Sequence, residues 1–215
     1  MIGSLSRVPV TGKRIGIVIF DEVEVLDFCG PFEVFSVTRL DEARRREEPS
    51  PFEVALIAES GEVITASGGM KVTPRFTFDD CPKLDILVVP GGWGTRREAG
   101  NPRMIEFIRT RAPEVEKLTS VCTGSLLLAT AGLLDGLHAT SHWRFLDQLR
   151  TGFPNIAVEY DQHVVEDGNV ITSAGISAGI DMALRVVMRY HGEEIARATA
   201  RHMEYPFPED NRRRI

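Results

Sequence analysis

The segment Asp85-Ile86-Leu87-Val88-Val89 runs without a break into Pro90-Gly91-Gly92. A short apolar run rich in β-branched residues has no polar face. It suits a strand covered on both sides, as in a parallel sheet held between two helical layers. Arg14–Phe20 has the same character and stops at the acidic pair Asp21-Glu22. Lys117–Val121 is a third such strand, ending at Cys122-Thr123-Gly124-Ser125. Phe52–Ala58 and Glu62–Ala66 read as two strands joined around Gly61. Val158–Val165 and Val170–Ser173 read as a hairpin with Asp167-Gly168 as its turn.

Helical patterns fill the intervals. Gly30-Pro31 opens a helix with Phe32, Phe35 and Leu40 inward, ending before Pro49. Asn101-Pro102 supplies an N-cap and a first-turn proline to a helix that presents Ile105 and Ile108. Leu126–Ala131 forms a helix closed by Gly132. Ile176, Ile180, Ala183, Leu184 and Val187 keep a helical period up to Gly192, and Glu193–Glu204 makes a last helix. Strands alternating with helices predict an α/β fold, a mainly parallel sheet with helices on both faces. No linker or repeat interrupts the pattern. Residues 14–207 are expected to form one domain, after a flexible segment over 1–13 and before a charged tail over 208–215.

Composition narrows the function classes. With 43 % hydrophobic and 26 % charged residues among 215, the chain has the make-up of a folded protein. It lacks any apolar run near the ~20 residues a membrane span requires. Met1–Lys13 mixes Ser, Arg, Pro and Gly, without the apolar stretch of a signal peptide. No membrane partner is expected. The net charge of −6 gives no overall attraction to nucleic acid. The basic runs Arg44–Arg46 and Arg212–Arg214 are flanked by Glu47, Glu48, Glu209 and Asp210, and read as solvated helix-end and tail charges. Three cysteines without CxxC spacing predict neither a disulfide framework nor a zinc site and fit a reducing cytoplasm. No metal or cofactor is expected.

In an open parallel sheet the ligand site lies beyond the carboxyl ends of the strands. Three motifs converge there: Leu26-Asp27-Phe28-Cys29-Gly30-Pro31, Pro90-Gly91-Gly92-Trp93-Gly94 and Val121-Cys122-Thr123-Gly124-Ser125. Cys122 occupies a strand-to-helix junction, the position of a nucleophile elbow. The following helix start favours its thiolate. Cys29 reads as packing under its helix, and Cys81, before Pro82, as a loop cysteine. Pro90-Gly91-Gly92 offers backbone N–H groups to an anion but lacks the spacing of a nucleotide loop. Asp27 beside a thiolate would hold a proton, because two adjacent anions do not both ionise cheaply.

Taken together, several segments resemble the ThiJ/PfpI superfamily over Ile15 to about Phe207. They are Leu26-Asp27-x-x-Gly30-Pro31-x-Glu33-Val34, Pro90-Gly91-Gly92, Ser120–Ser125, Ala139–Trp143 and Gly175–Asp181. The resemblance is nearest to the isocyanide hydratase branch and to the amidase-like portion of AraC-type regulators. It implies a flavodoxin-like three-layer sandwich, usually a homodimer, acting on a small molecule through the elbow cysteine. Members with protease-like triads carry His after the nucleophile, where this chain has Thr123. Glyoxalase and deglycase members generally carry Glu at the place of Asp27. The chain ends at Ile215, which leaves no room for the helix-turn-helix domain of the regulators.

The resemblance implies a mechanism in which Cys122 attacks an isocyanide carbon, Asp27 delivers and later removes a proton, and Thr123 orients the groups. Gly91 and Gly92 would donate backbone N–H groups to the pocket, and Trp93 and Ile176 would wall it. His142 is expected to be structural and hydrogen-bonded. His163, His191 and His202 read as surface or packing residues. The alternatives are a small-molecule or redox sensor working through Cys122, and another cysteine-dependent activity such as glyoxalase or amidase.

Overall fold

Seven strands form one sheet in the computed structural model, which describes residues 12–214. The expected flexible segment over 1–13 falls almost entirely outside the described residues. In chain order the elements begin with β1 (Lys13–Val18), α1 (Val25–Val37), β2 (Phe52–Ala58), β3 (Ile64–Thr65), β4 (Lys71–Val72) and β5 (Phe76–Thr77). They continue with β6 (Ile86–Val89), α2 (Thr95–Glu98), α3 (Pro102–Arg111), β7 (Lys117–Val121) and α4 (Gly124–Thr130). Next come β8 (His138–Ala139), α5 (Leu146–Gly152), β9 (Ala157–Val158), β10 (Val164–Asp167), β11 (Val170–Ser173), α6 (Ala178–His191) and α7 (Glu193–His202).

The sheet runs β10-β11-β7-β6-β1-β2-β5. Every pairing in it is parallel except β10 with β11. From β1 the chain first moves outward to β2 and then returns to β6 on the other side, so the order reverses at β1 and β6. Right-handed crossovers then place the intervening helices on opposite faces. Helices α1, α6 and α7 pack on one face, and α2, α3 and α4 on the other. The result is a flavodoxin-like three-layer α/β sandwich. Ile86, Leu87, Val88 and Val89 of β6 have no exposed surface, and Ile15, Ile17 and Val18 of β1 are equally sealed. Each such side chain contributes about 1.5–3 kcal/mol of burial.

Several expectations are corrected. Helix α1 begins at Val25 rather than at Gly30-Pro31, and carries Pro31 in its interior. Its start is set by tertiary contact, since the Glu24 N–H donates to the Gly91 carbonyl at 2.9 Å and no side chain caps the helix. Leu40, expected inward, lies beyond the helix and is exposed. Glu62–Ala66 shrinks to β3, paired with β4 in a small antiparallel ribbon apart from the main sheet. The Val158–Val165 strand resolves into β9 and β10, which belong to different sheets. The β10–β11 hairpin turns through Gly168-Asn169, one residue later than expected, with φ 59° at Gly168.

The charged tail also departs from its expectation of solvated charges. Asn211 clamps the start of β10: its Oδ1 accepts the Val164 N–H at 3.0 Å, and its Nδ2 donates to the Val164 carbonyl at 2.7 Å. Arg213 turns inward. Its guanidinium donates to the Ser141 carbonyl at 3.1 Å and to the Tyr160 carbonyl at 2.6 Å. Among the described residues no helix is long and apolar enough to cross a membrane.

Candidate active site

The crevice at the reversal of the sheet collects the three motifs. Asp27 comes from the first turn of α1, Gly91 and Gly92 from the loop after β6, and Cys122 from the junction of β7 and α4. Cys122 has φ 56°, a left-handed conformation that costs a non-glycine residue on the order of 1–3 kcal/mol. Its surroundings pin it there. The Cys122 N–H donates to the Ser173 and Ala174 carbonyls at 3.2 and 3.1 Å. The Cys122 carbonyl accepts from the hydroxyls of Ser141 at 2.9 Å and Ser125 at 3.2 Å. Gly124 must be small, since a Cβ there would lie 2.0 Å from the Val89 carbonyl oxygen.

Asp27 has no exposed surface. Its Oδ2 accepts the Gly91 N–H at 2.9 Å, while Oδ1 is buried without a hydrogen-bond partner. Burial, reinforced by the nearby Glu24 charge and opposed by the Gly91 N–H, pushes the Asp27 carboxyl up to about 8. The carboxyl is therefore an acid at neutral pH, and its unspent oxygen is free to carry the proton. The Cys122 thiol lies near enough to this carboxyl for each group to bear on the other's proton. Burial, followed by the Asp27 charge, pushes the thiol well above its ordinary value. The thiolate expected from the helix start is therefore not the resting form. Three groups favour the anion when it does form: the N–H groups of Thr123 and Ile176 and the Thr123 hydroxyl.

The Gly91 N–H, expected as a donor to substrate, is thus committed to Asp27. The Gly92 N–H is likewise held by Thr123, whose Oγ1 accepts it at 3.1 Å. These amides fix the acid and the threonine instead of facing the cavity. The approach of the three segments explains the glycine at 91: a Cβ would lie 2.5 Å from the Thr123 nitrogen and 2.8 Å from Asp27 Oδ2.

Cys122 and Thr123 open into a cavity of about 340 Å³ whose walls include Gly92, Trp93 and Ile176. Gly91 and Asp27 lie behind that lining. Ile176 also has a positive φ, 53°, a rare conformation for a β-branched side chain, and this turn aims its N–H at the sulfur. His142, read from sequence as structural, does hydrogen-bond locally, its Nδ1 accepting the Arg144 N–H at 3.3 Å. It also faces the cavity. Glu24, Arg96, Trp143, Arg144 and Phe145 line the cavity too and were not identified from sequence. Only Trp143 carried a signal, as the last residue of the Ala139–Trp143 motif.

A second buried cluster lies on α6. Asp181 Oδ2 accepts from His163 Nε2 at 3.0 Å, from the Tyr205 hydroxyl at 2.9 Å and from Arg214 at 3.3 Å. His163 is therefore a packed, paired residue. Cys29 is half-buried against the core and Cys81 is buried, both away from the cavity lining. Among the described residues no three His, Cys, Asp or Glu side chains group as metal ligands.

Isonitrile hydratase of Pseudomonas putida is 37 % identical over 192 residues, covering 89 % of this chain and 78 % of that enzyme. The HTH-type transcriptional regulator GbdR of Pseudomonas aeruginosa is 35 % identical over 145 residues, but the match spans only 39 % of the regulator. A crystal structure of a ThiJ/PfpI family protein from Pseudomonas syringae superposes with a TM-score of 0.80 at 31 % identity, covering 98 % of this chain and 85 % of that one. The sequence profile of the DJ-1/PfpI family matches residues 13–189, most of the chain, and the protein belongs to that family.

Proposed function

We propose that the protein hydrates organic isocyanides to N-substituted formamides. The observation that carries this reading is a buried, protonated Asp27 beside the Cys122 thiol, which opens into a cavity whose walls include Trp93, Trp143, Phe145 and Ile176. The isonitrile hydratase relative supports the same reading.

In the first step Sγ of Cys122 forms a bond to the terminal carbon of R–NC. Asp27 gives its proton to that carbon and receives the thiol proton in exchange, leaving the thioimidate R–N=CH–S–Cys122 and a re-protonated Asp27. Asp27 then passes its proton to the imidate nitrogen, and its carboxylate removes a proton from water as the oxygen adds to the carbon. Collapse breaks the C–S bond as Asp27 passes its proton to the sulfur and takes the hydroxyl proton of the adduct, so R–NH–CHO departs and both Cys122 and Asp27 are protonated again. Thr123 and Ile176 stabilise the sulfur anion at both ends of this cycle.

Supplying an aryl isocyanide and following the formamide tests the reading. Wild type is expected to turn over, and both Cys122→Ala and Asp27→Asn to fail. Wild-type hydration by Cys122→Ala would remove the covalent route. Loss of a dicarbonyl with no turnover of several isocyanides would point to a glyoxalase instead. The regulator match favours a second reading, a small-molecule sensor, whose signature is stoichiometric binding without product. On either reading residues 14–207 act as one α/β domain, working in the cytoplasm as a homodimer on a small molecule.

A further inference from the structure

Two arginine–tryptophan pairs line the Cys122 cavity. The Arg96 guanidinium lies 4.8 Å from the Trp93 ring centroid, and the Arg144 guanidinium lies 4.7 Å from that of Trp143. Both tryptophans are largely open to solvent, at 69 % and 47 % exposure, although indole is costly to leave uncovered. Most described arginines are matched with carboxylates, Arg97 with Glu22 and Arg103 with Asp79 among them. Arg96 and Arg144 have no carboxylate within 4 Å among the described residues.

Charge around the cavity is therefore unbalanced. Glu24 is the one acidic side chain lining the cavity, and it pairs with neither arginine. Two guanidiniums against one carboxylate leave a single net positive charge, which suits a monoanion. The field is felt at His142: after burial, the charges of Arg144, Arg213 and Arg96 lower its affinity for a proton. An arginine stacked on an indole presents its N–H groups at the ring's edge, in the planar fork that a carboxylate accepts, and Arg96 spends only Nη1, on the Gly92 carbonyl at 3.4 Å. The two indoles provide flat apolar surface in the same cavity as the thiol.

We infer that the Trp93–Arg96 and Trp143–Arg144 pairs form a carboxylate subsite, and that the substrate is an isocyanide whose flat organic group carries a carboxylate at the end away from the isocyanide carbon. This inference rests on the hydration reading for its chemistry, while the subsite itself is measurable without turnover.

Matched substrates test it: 4-isocyanobenzoate against its methyl ester. Charge-assisted hydrogen bonds predict a preference for the acid in kcat/KM of about 10- to 100-fold, carried by KM. Arg144→Gln and Arg96→Gln, both at exposed positions, are expected to bring the ratio toward one. High salt should shrink it as well. Equal or better use of the ester by wild type overturns the subsite, and so does a ratio that neither substitution moves. Intrinsic tryptophan fluorescence of Cys122→Ala, titrated with benzoate and with benzyl alcohol, separates the two failures. If no isocyanide is hydrated but benzoate binds and Arg144→Gln abolishes it, the hydration reading falls and the subsite stands. If benzoate does not bind in preference to the alcohol, the subsite falls whatever the enzyme hydrates.

Discussion

Asp27 and Asp181 are both sealed from solvent, at 0 % and 2 % exposure, and each keeps one buried carboxylate oxygen without a hydrogen-bond partner. Their neighbours divide them. Asp181 meets an imidazole, a phenol and a guanidinium, which together satisfy its charge and tie α6 to β10 and to the segment after α7. Asp27 meets one backbone N–H, a thiol and the repulsion of Glu24. Burial alone makes neither residue reactive. What separates a clamp from an acid is whether cations and donors arrive with the carboxylate, because without them the burial cost falls on the proton equilibrium instead.

The contrast breaks most readily at the chemistry. Asp27→Asn should cut kcat for isocyanide hydration by about 10²- to 10⁴-fold, the usual reach of a positioned acid–base group. Steady-state formamide formation measures it, with circular dichroism expected to show an intact fold. Asp181→Ala should act on stability. Removing one partner of a buried ionic cluster costs about 3–5 kcal/mol, read as a lower urea midpoint. An Asp181→Ala protein of full stability and lost activity would erase the distinction between the two sites.

The pH response sharpens it. With the Asp27 carboxyl at about 8, the folded protein holds a proton that the unfolded chain has released above about pH 4. The neutral acid's contribution to stability is complete below that point and is lost as pH rises toward 8. Asp27→Asn is therefore expected to change stability little in acid and to raise it by about 5 kcal/mol above pH 8. Denaturation of both proteins across that range measures the difference. Activity of the wild type should fall above the same value, as the acid form is lost. The smallest effect is at Tyr205. Its hydroxyl donates one hydrogen bond to Asp181, and Tyr205→Phe should cost about 1 kcal/mol without shifting the pH profile of activity.

The strand ends and the elbow were legible because each leaves a local mark: apolar runs for β1, β6 and β7, then small residues where the backbone turns. Asn101 capping α3, with its side chain accepting the Arg103 N–H at 3.0 Å, and Gly132 closing α4 at φ 75° belong to the same class. The start of α1 was not legible, because a contact from Gly91 sets it rather than a capping side chain. The donors of Gly91 and Gly92 were misassigned for a related reason. A glycine-rich turn announces free N–H groups, but which acceptor reaches them depends on how three distant segments meet. The resting thiol was misjudged because helix-start electrostatics can be read from sequence while burial and the distance to Asp27 cannot. Arg213 was read as tail charge, and only the folded chain brings it to the Ser141 carbonyl, in the residue whose hydroxyl holds the elbow.

The clamp by Asn211 has a consequence for association. Together with the bond from the His163 N–H to the Asn211 carbonyl at 2.8 Å, it occupies the outer backbone groups at the start of β10. At the opposite rim β5 is only two residues long, and its Thr77 N–H is taken by Asp80 Oδ1 at 2.5 Å. Among the described residues, neither border of the sheet offers a long row of unpaired donors and acceptors for another strand to zip onto. Edge-to-edge growth into a continuous sheet is thereby discouraged, which favours helix faces or loops as the surfaces where copies would meet.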